Sequence, residues 1–385
     1  MRSVRCVIVG GGLSGLYAAT LLKQHGVGDY LLIEERDRLG GRIHSVAASG
    51  RRQETPLATE SNAIDRVDLG PTWFWPAYQH QFDKLIHALG VERFPQHDRG
   101  WMMAERTATG APMRIHGFPN SPTAMRLMGG MGALIDALTR RVSRSRVLTG
   151  ESVRHIRIAG HSIEVESHDA SDRLTITQAA HLLLAVPPRL SSQSIEFSPA
   201  LPPRLLQPWL DTPTWMAGHA KYAAVYETPF WRAEGLSGEA RSAVGPLAEI
   251  HDATMPGGSA ALFGFFGMPA HTRRGVPTDT LKTHCRAQLA RLFGPKAAVP
   301  SHDFIKDWAT DSLTSTPPDL ELALSRHSIA PPATALTDPW KGRVIGIASE
   351  WSPNFPGYVA GAIDAATRGI ESIFGKSPNT SCNDQ

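Results

Sequence analysis

Four segments open the chain: an apolar run from Cys6 to Val9, glycines from Gly10 to Gly15, helical apolar spacing from Leu16 to His25, and a second apolar run from Tyr30 to Glu34. The pattern predicts strand, tight turn, helix and strand, the beginning of a βαβ unit. Strand-like alternation returns at Ser152 to Glu166, and a continuous apolar run at His181 to Val186 predicts a strand buried on both faces. Between Pro187 and Pro208, six prolines exclude a long helix or central strand and suggest a crossing between domains. An apolar strand, Tyr222 to Tyr226, follows Lys221 and is closed by Pro229-Phe230-Trp231. Arg343 to Ala348 reads as a last buried strand, Tyr358 to Phe374 as a closing helix, and the polar stretch from Ser377 to Gln385 as a frayed tail.

A length of 385 residues exceeds the usual single core, so two domains are expected. Residues 1–75, 145–195 and 340–376 are assigned to a cofactor domain, 76–144 and 196–339 to a substrate domain, and 377–385 to the tail. The net charge of +3 comes from 39 basic residues scattered among 36 acidic ones, which excludes a basic nucleic-acid surface and favours a small-molecule partner. Cys6, Cys285 and Cys382 lie far apart, with the spacing of neither a zinc site nor a disulfide framework, so no metal is expected and a reducing compartment fits best. No apolar run approaches the roughly 20 residues of a membrane span, and no leader-like segment precedes the first strand. A cytoplasmic protein without a membrane partner is the expectation.

Gly10, Gly12 and Gly15 stand at G-x-G-x-x-G spacing directly after a strand. The first permits the tight turn, the second lets backbone approach a pyrophosphate, and the third packs helix on strand. Amides at Leu13, Ser14 and their neighbours then face the anion. Glu34 ends the second strand, where a carboxylate accepts ribose hydroxyls; Glu35 and Arg36 follow it. Gly40-Gly41-Arg42 adds two unhindered amides and a guanidinium beside the phosphates. The fold class is therefore α/β, a Rossmann-like dinucleotide domain with a second, mixed-sheet domain.

These motifs together resemble the opening of the flavin amine oxidase family, relatives of monoamine, polyamine and L-amino-acid oxidases. Asp68-Leu69-Gly70-Pro71-Thr72-Trp73 resembles the family segment that passes over the flavin, with Pro71 where the family has a second glycine. Val153 sits where the family reads adenine through a backbone group, and Ala185-Val186-Pro187-Pro188 resembles its strand exit. Ala348-Ser349-Glu350 and Gly357-Tyr358-Val359-Ala360-Gly361-Ala362 have family spacing. The resemblance implies non-covalently held FAD, with Glu350 on the ribityl chain and a helix starting near Val359 directed at the flavin N1/C2 carbonyl.

The resemblance also implies chemistry. Lys221 corresponds to the family lysine that holds a water near flavin N5, and Tyr358 to one wall of an aromatic cage around a neutral amine. The second wall is missing from the segment Trp308 to Asp319, so Trp73, Trp101 or Phe265 would have to replace it; the tethering cysteine of some members is missing there too. His219 is left outside the catalytic set, because hydride abstraction from a neutral amine needs no strong base. Gly129-Gly130-Met131-Gly132 follows Gly70 by only 59 positions, too few for a full helical lid, which leaves the pocket open or closed by a second copy in a homodimer. The implied reaction removes a hydride from a carbon beside an amine nitrogen of an amine or amino-acid-like substrate. It gives an imine and, with molecular oxygen, hydrogen peroxide. A flavin desaturase or dehydrogenase acting on a larger biosynthetic precursor and a non-catalytic flavin-binding scaffold are the alternatives.

Overall fold

The computed structural model describes residues 2–50, 65–117, 120–321 and 329–376; the expected tail and Cys382 lie outside the described residues. The chain divides into two compact units, one built from Met1–Arg42, Ile135–Trp215 and Leu324–Gln385 and the other from Ile43–Leu134 and Met216–Ala323. Relative to the boundaries drawn from sequence, residues 43–75 group with the second unit, and residues 135–144, 196–215 and 324–339 with the first. The proline-rich stretch forms two short helices of the first unit, Pro188–Ser194 and Pro203–Asp211, each begun by a proline, whose fixed φ suits a first helical turn.

The first unit is organised around the strand Arg2–Val9 (β1), the helix Leu13–Gln24 (α1) and the strand Tyr30–Glu34 (β2). β1 runs parallel to β2 on one side, with Cys6 opposite Tyr30, and to Leu174–Leu184 on the other, with Cys6 opposite His181. Val7, Leu31 and Leu182 are fully buried, as the unbroken apolar runs require of strands covered on both faces. The predicted strand Ser152 to Glu166 is two strands, Glu151–Ala159 and Ser162–Asp169, joined antiparallel at Gly160, which takes φ +62°. Alternation continues through a tight turn, so periodicity alone did not reveal the break. The last strand, Val344–Gly346, pairs with Leu174–Leu184, and the closing helix is Val359–Phe374.

The second unit is a seven-stranded sheet in the order His302–Asp307, Ala220–Tyr226, Ala260–Phe266, Leu247–Asp252, Leu236–Ser242, Trp101–Glu105 and Met113–His116. Alternation along its strands separates two faces. Tyr222, Ala224, Leu262 and Ile250 share a core with Leu281, Cys285 and Leu289 of the helix Thr278–Phe293. Ala223, Val225 and Phe263 point the other way and pack with Val67 and Leu69. Lys221 belongs by alternation to this second face, as does its cross-strand partner Phe265.

Candidate active site

The first unit carries an anion cradle. Gly10 turns at φ +107°, and a Cβ there would lie 2.9 Å from the carbonyl oxygen of Ala185. At Gly15 a Cβ would lie 2.0 Å from the Gly10 oxygen, so helix and turn touch through bare backbone. Gly12 is different: a Cβ there would meet nothing closer than the Gly41 Cα at 3.9 Å. It caps α1 without any side-chain hydrogen bond, so the cap leaves the positive end of the helix uncompensated. Gly40 pairs with this turn, donating from its amide to the Gly11 oxygen at 2.9 Å. Ser14 does not face the cradle with its hydroxyl, which donates to the Ile347 carbonyl.

Glu34 is buried and accepts hydrogen bonds from the amides of Gly11 at 2.5 Å and Arg36 at 2.9 Å. A carboxylate offers about four lone-pair sites, so it can take ribose hydroxyls as well. Arg36 lies 3.8 Å from Glu34, whereas Glu35 is half-exposed and 3.9 Å from Arg154. Val153 is a core residue packed with Val9, Leu31 and Ile33.

Arg42 reaches Glu350, through a bidentate contact at 2.6 and 3.0 Å, and the Ser349 hydroxyl at 3.2 Å. Burial would raise the Glu350 carboxyl, but Arg42 outweighs it and holds the pKa below the ordinary value. Gly357 turns at φ +81° against Trp215, and Tyr358, partly exposed, begins the closing helix without a side-chain cap. Val359 is its first residue. The open Gly12, the uncapped α1, the buried carboxylate of Glu34 and the second uncapped helix end are complementary to a dinucleotide whose ring system takes up negative charge. The residues present fit FAD.

The second unit holds a buried cation of its own. Lys221 is 2% exposed, in a strand whose seven residues are all buried. Its Nζ donates to the Gly70 carbonyl at 3.1 Å and the Thr72 hydroxyl at 2.6 Å, and lies 3.8 Å from the centre of the Phe263 ring. Burial is the main reason its pKa falls to about 7; Asp68 opposes the fall and Arg126 adds to it. Trp308 holds the same loop from another side, donating from Nε1 to the Leu69 carbonyl at 3.1 Å. Pro71 and Trp73 lie in the loop thus anchored, and Trp73 donates to Gln96 at 2.8 Å.

Of the three aromatics weighed as a second wall, Trp73 and Phe265 share the sheet face with Lys221; Phe265 lies 5.6 Å from its Nζ. Trp101 instead stacks on His116 in another strand pair. His219 has its pKa lowered by burial and by Arg273. Sequence reasoning passed over Asp68, Arg126, His251, Glu239 and Glu249. Asp68 lies inside the Asp68 to Trp73 segment, but nothing in the spacing revealed that Glu239, Glu249 and His251 gather beside Phe263 or that Arg126 is close enough to act on Lys221. Among the described residues no His, Cys, Asp or Glu cluster suited to a metal occurs, and no helix is long and apolar enough to cross a membrane.

Residues 117–369 match the family model described as flavin containing amine oxidoreductase, and residues 8–89 that of an NAD(P)-binding Rossmann-like domain. A probable flavin-containing monoamine oxidase A of Dictyostelium discoideum is 22% identical over 484 aligned positions, covering 97% of this chain and 98% of that protein. Putrescine oxidase of Kocuria rosea is 35% identical over 206 positions, 49% of this chain and 41% of its own. Among solved structures, cyclohexylamine oxidase from Brevibacterium oxydans superposes with TM-score 0.76 at 19% identity, covering 96% of this chain and 98% of that one. Wild-type putrescine oxidase bound to putrescine gives 0.74 at 20% identity, with 97% and 99% covered. These likenesses show a shared fold.

Proposed function

The chain belongs to the flavin containing amine oxidoreductase family, and on that premise we propose how its residues divide the oxidation of an amine. It is an FAD-dependent oxidoreductase of the amine oxidase type. Bound FAD supplies the two-electron acceptor for a hydride leaving the carbon beside the amine nitrogen. In our reading the α1 end at Gly12 to Gly15 binds the pyrophosphate with Gly40 and Gly41, and Glu34 binds the adenosine ribose. Glu350, oriented by Arg42, serves the ribityl chain, and the uncapped end at Val359 favours negative charge at the ring carbonyl. Val153 contributes a backbone contact to adenine. The FAD is expected to be released intact by acid, since the segment Trp308 to Asp319 carries no cysteine to tether it.

The substrate is a neutral amine set against Tyr358, a class supported by the monoamine, putrescine and cyclohexylamine oxidases it resembles. The amine loses hydride and proton, and water hydrolyses the resulting imine. The observation that carries the second half is Lys221: a buried amine titrating near 7, fixed to the Gly70–Thr72 loop. Its ammonium form stabilises the negative charge that develops as oxygen is reduced to hydrogen peroxide.

The test is an anaerobic titration of the purified yellow protein with a panel of monoamines, diamines and amino acids, followed by admission of air. We expect bleaching by at least one amine and one peroxide per amine consumed. Bleaching without peroxide would transfer the chain to the desaturase class, and no bleaching by any amine would remove the substrate assignment.

A further inference from the structure

Across the sheet from Lys221, on the same face, the second unit builds a charged cluster that the chemistry above does not use. The ladder places Phe265 opposite Lys221 and Glu249 opposite Phe265, while His251 stands opposite Phe263. Glu249 also faces Arg241 of the next strand and pairs with it. His251 has one ring nitrogen 2.6 Å from Glu249; the other lies 3.3 Å from Glu239, at an angle outside hydrogen-bond geometry. Its ring lies over Phe263, with centroids 5.4 Å apart and planes at 30°, and meets the edge of Trp73 at 4.7 Å. Phe263 in turn carries the Lys221 ammonium on its other neighbour contact, 3.8 Å from the ring centre.

We propose that His251 is a positioning residue for Lys221: clamped between Glu239 and Glu249, its ring fixes Phe263 and Trp73, and through them the lysine and the loop it anchors. This rests on the reading that Lys221 serves the oxygen step. A buried imidazole hydrogen-bonded to Glu249 through one nitrogen, with Glu239 3.3 Å from the other, has little rotational freedom, and rings packed on it inherit that order. Trp73 is fixed at its other end by Gln96, which donates onward to the Asp252 carbonyl at 2.8 Å. The loop therefore has three supports: Lys221 at Gly70 and Thr72, Trp308 at Leu69, and His251 with Gln96 at Trp73.

The electrostatics agree with the geometry. Burial alone would lower the His251 pKa, but Glu239 and Glu249 outweigh it and the net shift is upward. Burial would raise Glu249, yet His251 and Arg241 bring it down to about 2. The groups facing the imidazole are thus Glu249 on its own strand, Glu239 and Arg241 on the neighbouring strand, and Lys221 beyond Phe263. Replacing His251 by an uncharged side chain takes away the titrating ring that the two carboxylates share, so that no positive charge at this position opposes the ammonium form of Lys221.

Two measurements on the FAD-loaded protein decide it, using His251→Phe, which keeps a ring in the stack, and His251→Gln, which keeps a donor for Glu249 should the first variant fail to fold. In the first, lysine side chains labelled with carbon-13 are titrated by NMR, the Lys221 signal being identified by its loss in Lys221→Met. The Lys221 pKa is expected to rise by at least about one unit in the His251 variants. An unchanged value would overturn the proposal whatever Lys221 does in catalysis. In the second, stopped-flow reoxidation by oxygen is followed in single and double variants. At about pH 6, below the Lys221 pKa of about 7, where the ammonium prevails with or without His251, His251→Phe is expected to slow the step at least about fivefold alone through lost positioning and to add less than about twofold in Lys221→Met. Full multiplicative slowing in the double variant would show that His251 acts independently and would also overturn the proposal. If Lys221→Met itself reoxidises normally, the oxygen-step reading fails while the NMR result still judges the positioning.

Discussion

At the scale of single residues, Glu34 and Lys221 show what a motif conveys and what it hides. The spacing marked Glu34 as a ribose acceptor, but the same carboxylate also fastens the Gly11 amide to β2. Glu34→Ala should therefore cost about 1 to 3 kcal/mol of stability by leaving a buried amide unpaired, besides weakening FAD binding, whereas Glu34→Gln should recover most of the stability. Denaturant melts of the FAD-free protein separate the two effects. Lys221 was legible as a candidate because the strand it opens resembles a family segment, yet its burial and its partners were not, because they come from residues 68–72, far away in sequence. Its depressed pKa makes a signed prediction. Between about 7 and the ordinary 10.5 the folded lysine binds fewer protons than the unfolded one, so its contribution to stability increases as pH rises through that window and is least favourable below it. Conversely the ammonium is depleted above about 7, so reoxidation by oxygen should slow as pH rises through that value in the wild type and stay flat in Lys221→Met.

At the scale of elements, the glycines of the first turn make separable predictions. A methyl at Gly15 would collide with the Gly10 oxygen, so Gly15→Ala should destabilise the fold by at least about 2 kcal/mol. Gly12 has φ −73° and open space around its missing Cβ, so Gly12→Ala should cost about 1 kcal/mol or less, the usual penalty for alanine at a helix N-cap. If the pyrophosphate binds at this turn as proposed, the methyl would crowd it, and Gly12→Ala should nevertheless abolish tight FAD binding. Thermal melts without FAD and flavin titrations read the two halves apart; normal FAD affinity in Gly12→Ala would contradict the cradle. β2 and the closing helix were legible nearly to the residue, since each is a single apolar period bounded by turn residues. The hairpin at Gly160 and the two helices after Pro187 were not, because alternation runs through a tight turn and prolines forbid long helices without forbidding short ones.

At the scale of the whole molecule, the sequence supports a dinucleotide unit followed by a second sheet, and family resemblance assigns the cofactor. The partition of residues 43–75 and 196–215 was harder to read, since unit membership is set by long-range packing rather than by local composition. The same holds for the His251 cluster, whose members are scattered over two strands and become neighbours only through register. The central claim is that this amine oxidase completes its cycle through Lys221. Stopped-flow comparison of wild type and Lys221→Met, first anaerobically with amine and then with oxygen, tests it most directly. The account predicts anaerobic bleaching within about twofold of wild type and reoxidation slowed at least about tenfold, roughly 1.4 kcal/mol of barrier. Reoxidation of Lys221→Met at the wild-type rate would contradict it.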